Sequence, residues 1–226
     1  MKVLVINCSV RKEKGYTAKV LTPFIKGMEK AEAQVELVYS KKLDVNPCNG
    51  EFDCWYGNVG KCYINDSMQQ VYPKLREADI LVLGIPVYFP IPSEMQKFLN
   101  RLMPLMIPVL KFKNERTKIR FHDDVRIRKI VLVSVSGWWE MGNFDLVEHI
   151  VKEFCLKASV EFAGSVLRPH ADILPKEKDK ANEVFKALEE LGFCLIKDGI
   201  ISEDLLKIVA QPLISETECR VRLSKE

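Results

Sequence analysis

Three short apolar runs recur along the chain without strict alternation of polar and apolar positions. They cover residues 1–7, 79–85 and 129–135, and each is rich in valine, isoleucine and leucine. Continuous runs of this length and composition are typical of strands that are buried on both faces of a parallel sheet. The pattern therefore predicts three central strands.

Two further segments predict edge strands. Residues 34–39 alternate polar and apolar positions, and residues 160–166 form a shorter apolar stretch. Between the strands lie stretches with apolar residues at helical spacing, as in residues 18–28. Strand and helix thus alternate, which predicts an α/β fold: a doubly wound parallel sheet of five strands in the order 2-1-3-4-5, with helices on both faces.

The loop after the first strand carries groups that suit an anion. In the predicted strand order the carboxyl ends of strands 1 and 3 open one crevice. Ser9, Arg11 and Thr17 lie in the loop above strand 1, which leads into a helix whose first N–H groups attract negative charge. Their hydroxyls and guanidinium suit a terminal monophosphate. The alternative is that Thr17 only caps the helix and Arg11 is a surface charge.

The loops after strands 3 and 4 add aromatic side chains to the same edge. Three prolines stiffen residues 86–92, which present Tyr88 and Phe89. The loop at residues 136–143 contains two tryptophans, including Trp138. A stiff aromatic loop beside backbone donors and acceptors suits a planar ring, although packing alone explains any one of these aromatic residues equally well.

Several motifs of other α/β proteins are missing from the sequence. There is no G-x-x-x-x-G-K-[ST] loop, no G-x-G-x-x-G and no G-x-S-x-G elbow, which disfavours an ATPase, an ordinary dinucleotide dehydrogenase and a hydrolase. The three histidines give little support to a catalytic base. We expect His170, which follows strand 5, to lie at the surface.

Composition predicts one enlarged domain with an extension. The 226 residues are 47% hydrophobic and 29% charged, with a formal net charge of +3, too small to argue for nucleic acid. No apolar stretch is long enough to span a membrane and no signal peptide is evident, so we expect a cytoplasmic protein with reduced thiols. Cys8, Cys155 and Cys194 are expected to be packing residues.

The segment at residues 111–129 is locally basic. Its cationic residues predict either a solvated connection or a landing site for an anionic cofactor, a partner or another subunit. They are Lys111, Lys113, Arg116, Lys118, Arg120, Arg126, Arg128 and Lys129.

Three segments carry a resemblance to a known family. They are the loop with Ser9, Arg11 and Thr17, the Pro-Val-Tyr-Phe loop at residues 86–89, and a cysteine run that ends in an Asp-x-Met step before a helix, at residues 47–68. Over residues 1–165 the chain resembles the flavodoxin-like NAD(P)H-dependent FMN reductases, including the branch called iron–sulfur flavoproteins. It departs from the usual opening loop at Cys8 and Val10.

The resemblance implies FMN as cofactor, with its phosphate held by the first loop. It also implies an oxidoreductase that takes electrons from NAD(P)H and passes them to a small acceptor such as a quinone, a nitro compound or a flavin. Hydride transfer to a flavin needs no protein base, so no catalytic residue is assigned. The residues that we expect along the ring are Pro86, Val87, Tyr88, Phe89, Ser136, Gly137 and Trp138.

Two alternatives stay open. One is an electron-transfer protein that works with protein partners, and the other is a binding protein whose crevice has lost its nucleotide. We expect the protein to form a homodimer or homotetramer.

The cysteine run bears on a second cofactor. Iron–sulfur flavoproteins carry four closely spaced cysteines, whereas this chain has Cys48, Cys54 and Cys62, with Glu51 where the remaining one is expected. Zinc would also need a fourth ligand, for which no histidine lies nearby in sequence and which Glu51, Asp66 or a solvent molecule could supply. We therefore expect remnant, packing or redox-active thiols, with a cluster or metal on these three residues as the minor alternative.

The chain continues beyond a minimal domain. Residues 176–197 predict an amphipathic helix that completes a domain at residues 1–198. Residues 199–226 are expected to form an extension with a short helix at residues 202–209 and a tail around Pro212, serving as a dimer or partner element.

Overall fold

A computed structural model describes residues 1–113 and 116–224. Five parallel strands form the central sheet in the order β2-β1-β3-β6-β7, and an antiparallel hairpin pairs β4 with β5. The predicted doubly wound sheet is confirmed, because β6 and β7 are the fourth and fifth strands of the prediction. The strands are β1 (Lys2–Asn7), β2 (Gln34–Tyr39), β3 (Ile80–Pro86), β4 (Met106–Lys113), β5 (Arg116–Phe121), β6 (Lys129–Val135) and β7 (Glu161–Arg168).

Helices cover both faces of the sheet, and each face has its own apolar core. One core joins the sheet to α1 and α6, with residues of α7 and α8, and the other joins it to α3, α4 and α5. The helices are α1 (Tyr16–Lys30), α2 (Asp53–Tyr56), α3 (Met68–Glu77), α4 (Ser93–Asn100), α5 (Asp145–Ala158), α6 (Lys178–Lys197), α7 (Glu203–Ala210) and α8 (Glu216–Leu223).

Two glycines allow α1 and α6 to pack backbone against backbone. A Cβ atom on Gly27 would lie 1.8 Å from the carbonyl oxygen of Glu189, and one on Gly192 would lie 2.0 Å from that of Phe24. No side chain fits at these distances. The close approach fixes α1, and with it the loop that precedes α1, against the longest helix.

The basic segment is more than a connection. Two of its stretches, β4 and β5, pair as antiparallel strands, and Val125 and Ile127 after them are buried. Several of its cations have carboxylate partners: Arg120 pairs with Asp123, Arg126 with Asp79 and Lys129 with Glu161. The side chains of Lys111, Lys113 and Arg116 lie outside the described residues.

The C-terminal extension packs on the chain's own core. Val209, Leu213, Ile214 and Cys219 are buried in the core that contains α1 and α6. The tail around Pro212 continues into α8, a helix that the sequence analysis did not predict. Residues 225 and 226 lie outside the described residues. The division at residue 198 and a role of the extension in a dimer stay predictions.

Within the described part of the chain, no helix is both long and apolar enough to cross a membrane.

Candidate functional site

Three strand ends bring the predicted loops to one edge of the sheet. The Cys8 N–H donates to the Gly84 carbonyl at 2.9 Å, and the Val87 N–H donates to Val135 at the same distance. Beyond them the Ser136 N–H donates to the carbonyl of Arg168 at 3.0 Å. The loops after β1, β3 and β6 are therefore neighbours, as the strand order required.

The loop after β1 holds buried polar groups that lack protein partners. Asn7 accepts a hydrogen bond from the Ser9 N–H at 2.9 Å, but its amide nitrogen has no partner among the described residues. The hydroxyl of Thr17, 1% exposed, has none either. Buried polar groups in folded proteins are almost always hydrogen-bonded. These two donors are therefore available to a ligand or to water.

Gly15 keeps this loop compact. A Cβ atom there would lie 2.3 Å from the hydroxyl oxygen of Ser9, so any larger residue would displace Ser9. Gly15 also caps α1, which begins at Tyr16, and Thr17 is therefore not the cap.

A 3₁₀ turn occupies part of the same loop. The N–H groups of Lys12, Lys14 and Gly15 donate to carbonyls within the loop, so they are not free for an anion. In the first turn of α1 the Ala18 N–H already donates to the Gly15 carbonyl at 3.1 Å, so only the N–H groups of Tyr16 and Thr17 lie ahead of the helical hydrogen bonds. Arg11 is exposed beside them and can turn toward an anion. The loop thus offers hydroxyl, amide and guanidinium donors around one position.

The proline-rich loop after β3 presents its aromatic side chains to solvent. Pro86 is buried and Val87 is half-buried, whereas Tyr88 is 49% and Phe89 97% exposed. The Tyr88 N–H donates to the Pro90 carbonyl at 2.9 Å, which closes the turn. The two aromatic rings are free to cover a ligand because they pack on little of the protein.

The loop at residues 136–143, which we call the tryptophan loop, is the third loop at this edge of the sheet. Ser136 is buried and its hydroxyl accepts from the Trp138 N–H at 3.1 Å. No atom lies within 4 Å of the place where a Cβ on Gly137 would be, and Trp138 is 59% exposed. Open space and an exposed ring therefore lie above the end of β6.

The sequence predicts His170 at the surface, but the structure buries it. It is 1% exposed and its ring stacks on Trp139, with 4.7 Å between ring centroids and 22° between planes. Burial, with a contribution from nearby Arg168, lowers the pKa of His170 from 6.5 to about 4. The imidazole is therefore neutral near pH 7 and is a poor acid.

Two of the three cysteines expected to be packing residues are fully buried. Burial raises the pKa of both Cys8 and Cys155 to about 12, so their thiols stay protonated. Cys194 is partly exposed instead.

A cavity separate from the crevice lies on the face of the sheet that carries α4 and α5, next to the cysteine run. It has a volume of about 620 Å³, and its walls are mainly apolar. Leu99 from α4, Ile119 from β5 and Phe154 from α5 contribute to these walls, and the three thiols of the cysteine run line the remaining side. We call it the thiol cavity.

The thiols of this cavity do not fit an iron–sulfur cluster. Among the described residues no three histidine, cysteine, aspartate or glutamate side chains converge as metal ligands would. Burial and the neighbouring Cys62, Glu51 and Cys48 raise the pKa of Cys54 to about 11, so that thiol is protonated in the metal-free protein. A cluster needs convergent thiolates, usually four.

A buried ion pair holds the cysteine run in place. Arg101, at the end of α4, donates to both carboxylate oxygens of Asp66 at 2.6 and 3.0 Å, and to the Asn46 carbonyl at 2.8 Å. Both side chains of the pair are 1% exposed. Burial opposes the charge on Asp66, but hydrogen bonds from Arg101 and from backbone N–H groups hold the pKa of the carboxyl below its ordinary value.

The chain belongs to the NADPH-dependent FMN reductase family, whose model matches residues 1–170. This confirms the resemblance identified from the loops. Among curated relatives, an iron–sulfur flavoprotein of Methanocaldococcus jannaschii is 32% identical over 108 residues, which is 47% of this chain and 54% of that protein. An iron–sulfur flavoprotein of Clostridioides difficile is 27% identical over 154 residues, 65% and 67% of the two chains. The match to the first spans about half of that relative's length.

Solved structures share the fold at low identity. A putative quinone reductase from Klebsiella pneumoniae superposes with a TM-score of 0.66 at 16% identity, over 87% of this chain and 85% of that one. An FMN-dependent NADH-azoreductase from Bacillus anthracis, solved in complex with FMN, gives 0.60 at 17% identity, over 87% and 99%. An NAD(P)H:quinone oxidoreductase from Methanothermobacter marburgensis gives 0.62 at 13% identity, over 86% and 96%.

The crevice residues are compatible with FMN. The unpartnered donors of Asn7 and Thr17 lie where a terminal phosphate is expected, and exposed aromatic side chains lie where a ring is expected. Sequence reasoning missed Asn7, Gly15 and His170. A polar residue that ends an apolar strand could have indicated Asn7, whereas the burial of His170 depends on distant parts of the chain.

Proposed function

We propose that the protein is an FMN-dependent oxidoreductase that takes electrons from NAD(P)H and passes them to a small acceptor such as a quinone, a nitro compound or a flavin. The observation that carries the proposal is the pair of buried, unpartnered donors on Asn7, at the end of β1, and Thr17, at the start of α1. Family membership and the exposed aromatic groups around the crevice support it.

The residues of the first loop would bind the phosphate. Ser9, Arg11 and Thr17 supply two hydroxyls and a guanidinium, which together suit a dianionic monophosphate. The N-terminus of α1 adds its dipole. The methyl group of Thr17 lies over β3, since a Cβ atom on Gly84 would be 3.3 Å from it.

The other two loops would hold the ring. Residues 86–89 and Ser136, Gly137 and Trp138 offer a wall of aromatic and backbone groups. When bound, FMN accepts a hydride from NAD(P)H and passes electrons to the acceptor. The protein's part is to orient the two ring systems and exclude water, so the proposal assigns no acid or base. A cytoplasmic location and a homodimer or homotetramer remain part of the proposal.

The test begins with an anaerobic absorption spectrum of the purified full-length protein, followed by addition of NADH or NADPH and by iron and zinc assays on the same sample. We expect flavin bands that bleach on addition of the nucleotide, without stoichiometric metal. Flavin that bleaches only with a protein partner would favour an electron carrier. A colourless protein that takes up no added FMN would contradict the proposal.

Comparison of FMN with riboflavin sharpens this test, because riboflavin lacks the phosphate. We expect the purified protein to bind FMN much more tightly than riboflavin. Equal affinities would show that the loop after β1 does not hold a phosphate.

A further inference from the structure

The tryptophan loop is held from behind by the segment that follows β7. The His170 N–H donates to the Trp138 carbonyl at 3.0 Å, and the Ala171 N–H donates to the Ser136 carbonyl at 2.9 Å. These bonds join two segments that are about thirty residues apart in sequence. The position of the loop therefore depends on residues outside it.

The main contact of the His170 ring is its stack on Trp139. Neither ring nitrogen has a partner among the described residues, while the ring lies nearly parallel to that of Trp139. The backbone of His170 adopts φ 37° and ψ 48°, a left-handed conformation that is unfavourable for a residue with a side chain. The surrounding contacts must therefore hold this residue in place.

The same segment fastens the C-terminal extension. Arg168 is fully buried, and its Nη1 donates to the carbonyls of Val209 and Gln211, at 2.8 Å each. These carbonyls lie where α7 ends, and a cation at a helix C-terminus is favourable. Residues 168–171 thus contact the tryptophan loop on one side and the extension on the other.

A second link runs directly from the extension to the loop. Arg220 of α8 donates to Glu140 at 2.8 Å, and the two side chains are 55% and 52% exposed. An exposed pair of this kind adds little to the stability of the fold. Its removal is therefore expected to leave the stability of the protein nearly unchanged.

We propose that His170 and Arg220 are positioning residues for the flavin ring: they hold the tryptophan loop, through Trp139 and Glu140, and make the C-terminal extension part of the cofactor site. The proposal rests on the function proposed above, because it requires FMN in the crevice. It assigns to the extension a role in cofactor binding within its own chain.

The test compares four variants of the full-length protein by two readouts. One is the dissociation constant for FMN, from quenching of flavin fluorescence. The other is the visible circular dichroism of bound flavin, which reports the asymmetry of the ring's surroundings. His170→Phe retains a ring for stacking and His170→Ala removes it. Arg220→Ala removes the link to Glu140, and Arg222→Ala is its control.

Arg222 is a suitable control because it lies on α8 but contacts other residues. It pairs with Glu177 at 3.1 Å and with Glu218 of its own helix, not with the tryptophan loop. A general weakening of α8 would affect the variants at both arginines. A specific effect on the loop would appear only in Arg220→Ala.

We expect His170→Ala to weaken FMN binding about tenfold and to change the dichroism, since an aromatic stack contributes on the order of 1 kcal/mol. His170→Phe should bind FMN as the wild type does. Arg220→Ala should weaken binding about threefold, with Arg222→Ala unchanged. If His170→Ala does not fold, the test uses the FMN affinity and dichroism of the two arginine variants and of Glu140→Gln. Glu140→Gln should resemble Arg220→Ala.

Wild-type affinity and dichroism in both His170→Ala and Arg220→Ala would overturn the inference and leave the proposed function intact. Equal weakening by Arg220→Ala and Arg222→Ala would overturn the direct link. Failure of the wild-type protein to bind FMN would instead overturn the proposed function, and this inference with it.

Discussion

The crevice at the carboxyl edge of the sheet and the thiol cavity differ in how their polar groups are satisfied. In the crevice, the buried donors of Asn7 and Thr17 lack partners, and Phe89 and Trp138 are exposed. At the thiol cavity, the terminal nitrogens of Arg101 pair with Asp66 and only its Nε lacks a partner among the described residues, and the wall is mainly apolar.

This difference distinguishes a binding site from structural packing. Leaving a buried polar group without a partner costs free energy, so such groups persist where a ligand or water completes them. The bidentate Arg101–Asp66 pair, with its further backbone bonds, uses both terminal nitrogens of Arg101 and leaves only the Nε unpaired among the described residues. The crevice is therefore the better candidate for chemistry, even though the thiol cavity contains more cysteines.

The largest effect is expected from breaking the ion pair at the thiol cavity. Arg101→Ala would leave the Asp66 carboxylate buried without its partner, at a cost of about 3–5 kcal/mol in the free energy of unfolding. Urea denaturation measures this loss. Lys207→Ala, which removes an exposed pair with Asp204, is the control and should not measurably change stability. A similarly small effect of Arg101→Ala would mean that the cysteine run does not depend on this pair.

The next largest effect concerns pH and His170. The unfolded imidazole binds a proton near pH 6.5, whereas burial and Arg168 lower the folded pKa to about 4. Stability is therefore fully present above pH 6.5 and declines as the pH falls toward 4, by about 3 kcal/mol. Denaturation at pH 7, 6, 5 and 4 measures this decline, and His170→Phe should reduce it. An unchanged pH profile in that variant would show that His170 is not buried in its neutral form.

A smaller effect is expected at the phosphate loop. Thr17→Ala removes one donor to a charged group and should weaken FMN binding about 10- to 100-fold, with little effect on riboflavin. Thr22→Ala is the matched control, because Thr22 lies on the same helix and its hydroxyl already donates to the Ala18 carbonyl at 2.8 Å. Titration by flavin fluorescence measures both. Equal effects on FMN and riboflavin would place the phosphate elsewhere.

The smallest effect is expected at the thiols. Replacing Cys48 and Cys62 together by serine should leave FMN affinity and the visible spectrum unchanged, because the structure brings no set of metal ligands together there. Iron analysis and titration measure this. If the wild type contains stoichiometric iron and the variant does not, the thiol cavity is a metal site and not structural packing.

Much of the fold could be predicted because it depends on local patterns. A strand that is buried on both faces must be apolar throughout, so β1, β3 and β6 are evident as continuous runs. The strand order then places the loops after them at one edge. The candidate residues Ser9, Tyr88 and Trp138 followed from that order.

Other features could not be predicted because they depend on contacts between distant segments. The β4–β5 hairpin has a register irregularity, and its cationic and apolar residues alternate only over short stretches such as residues 118–121, so its many charges indicated a connection instead. The helix α8 has only eight residues and is weakly amphipathic, so its sequence shows no clear helical periodicity and predicts a tail.

The sequence by itself determined the doubly wound sheet, the family and the loops that form the crevice, because hydrophobic periodicity and short motifs are local properties. Only the tertiary structure decided which polar groups have partners. The terminal nitrogens of Arg101 pair with Asp66, 35 residues away, whereas the Thr17 hydroxyl has no partner among the described residues. Likewise, Trp139 and the end of α7 bury the segment from Arg168 to His170, so a residue predicted at the surface lies behind the tryptophan loop. Whether a buried polar group finds a hydrogen-bond partner depends on the path of the whole chain.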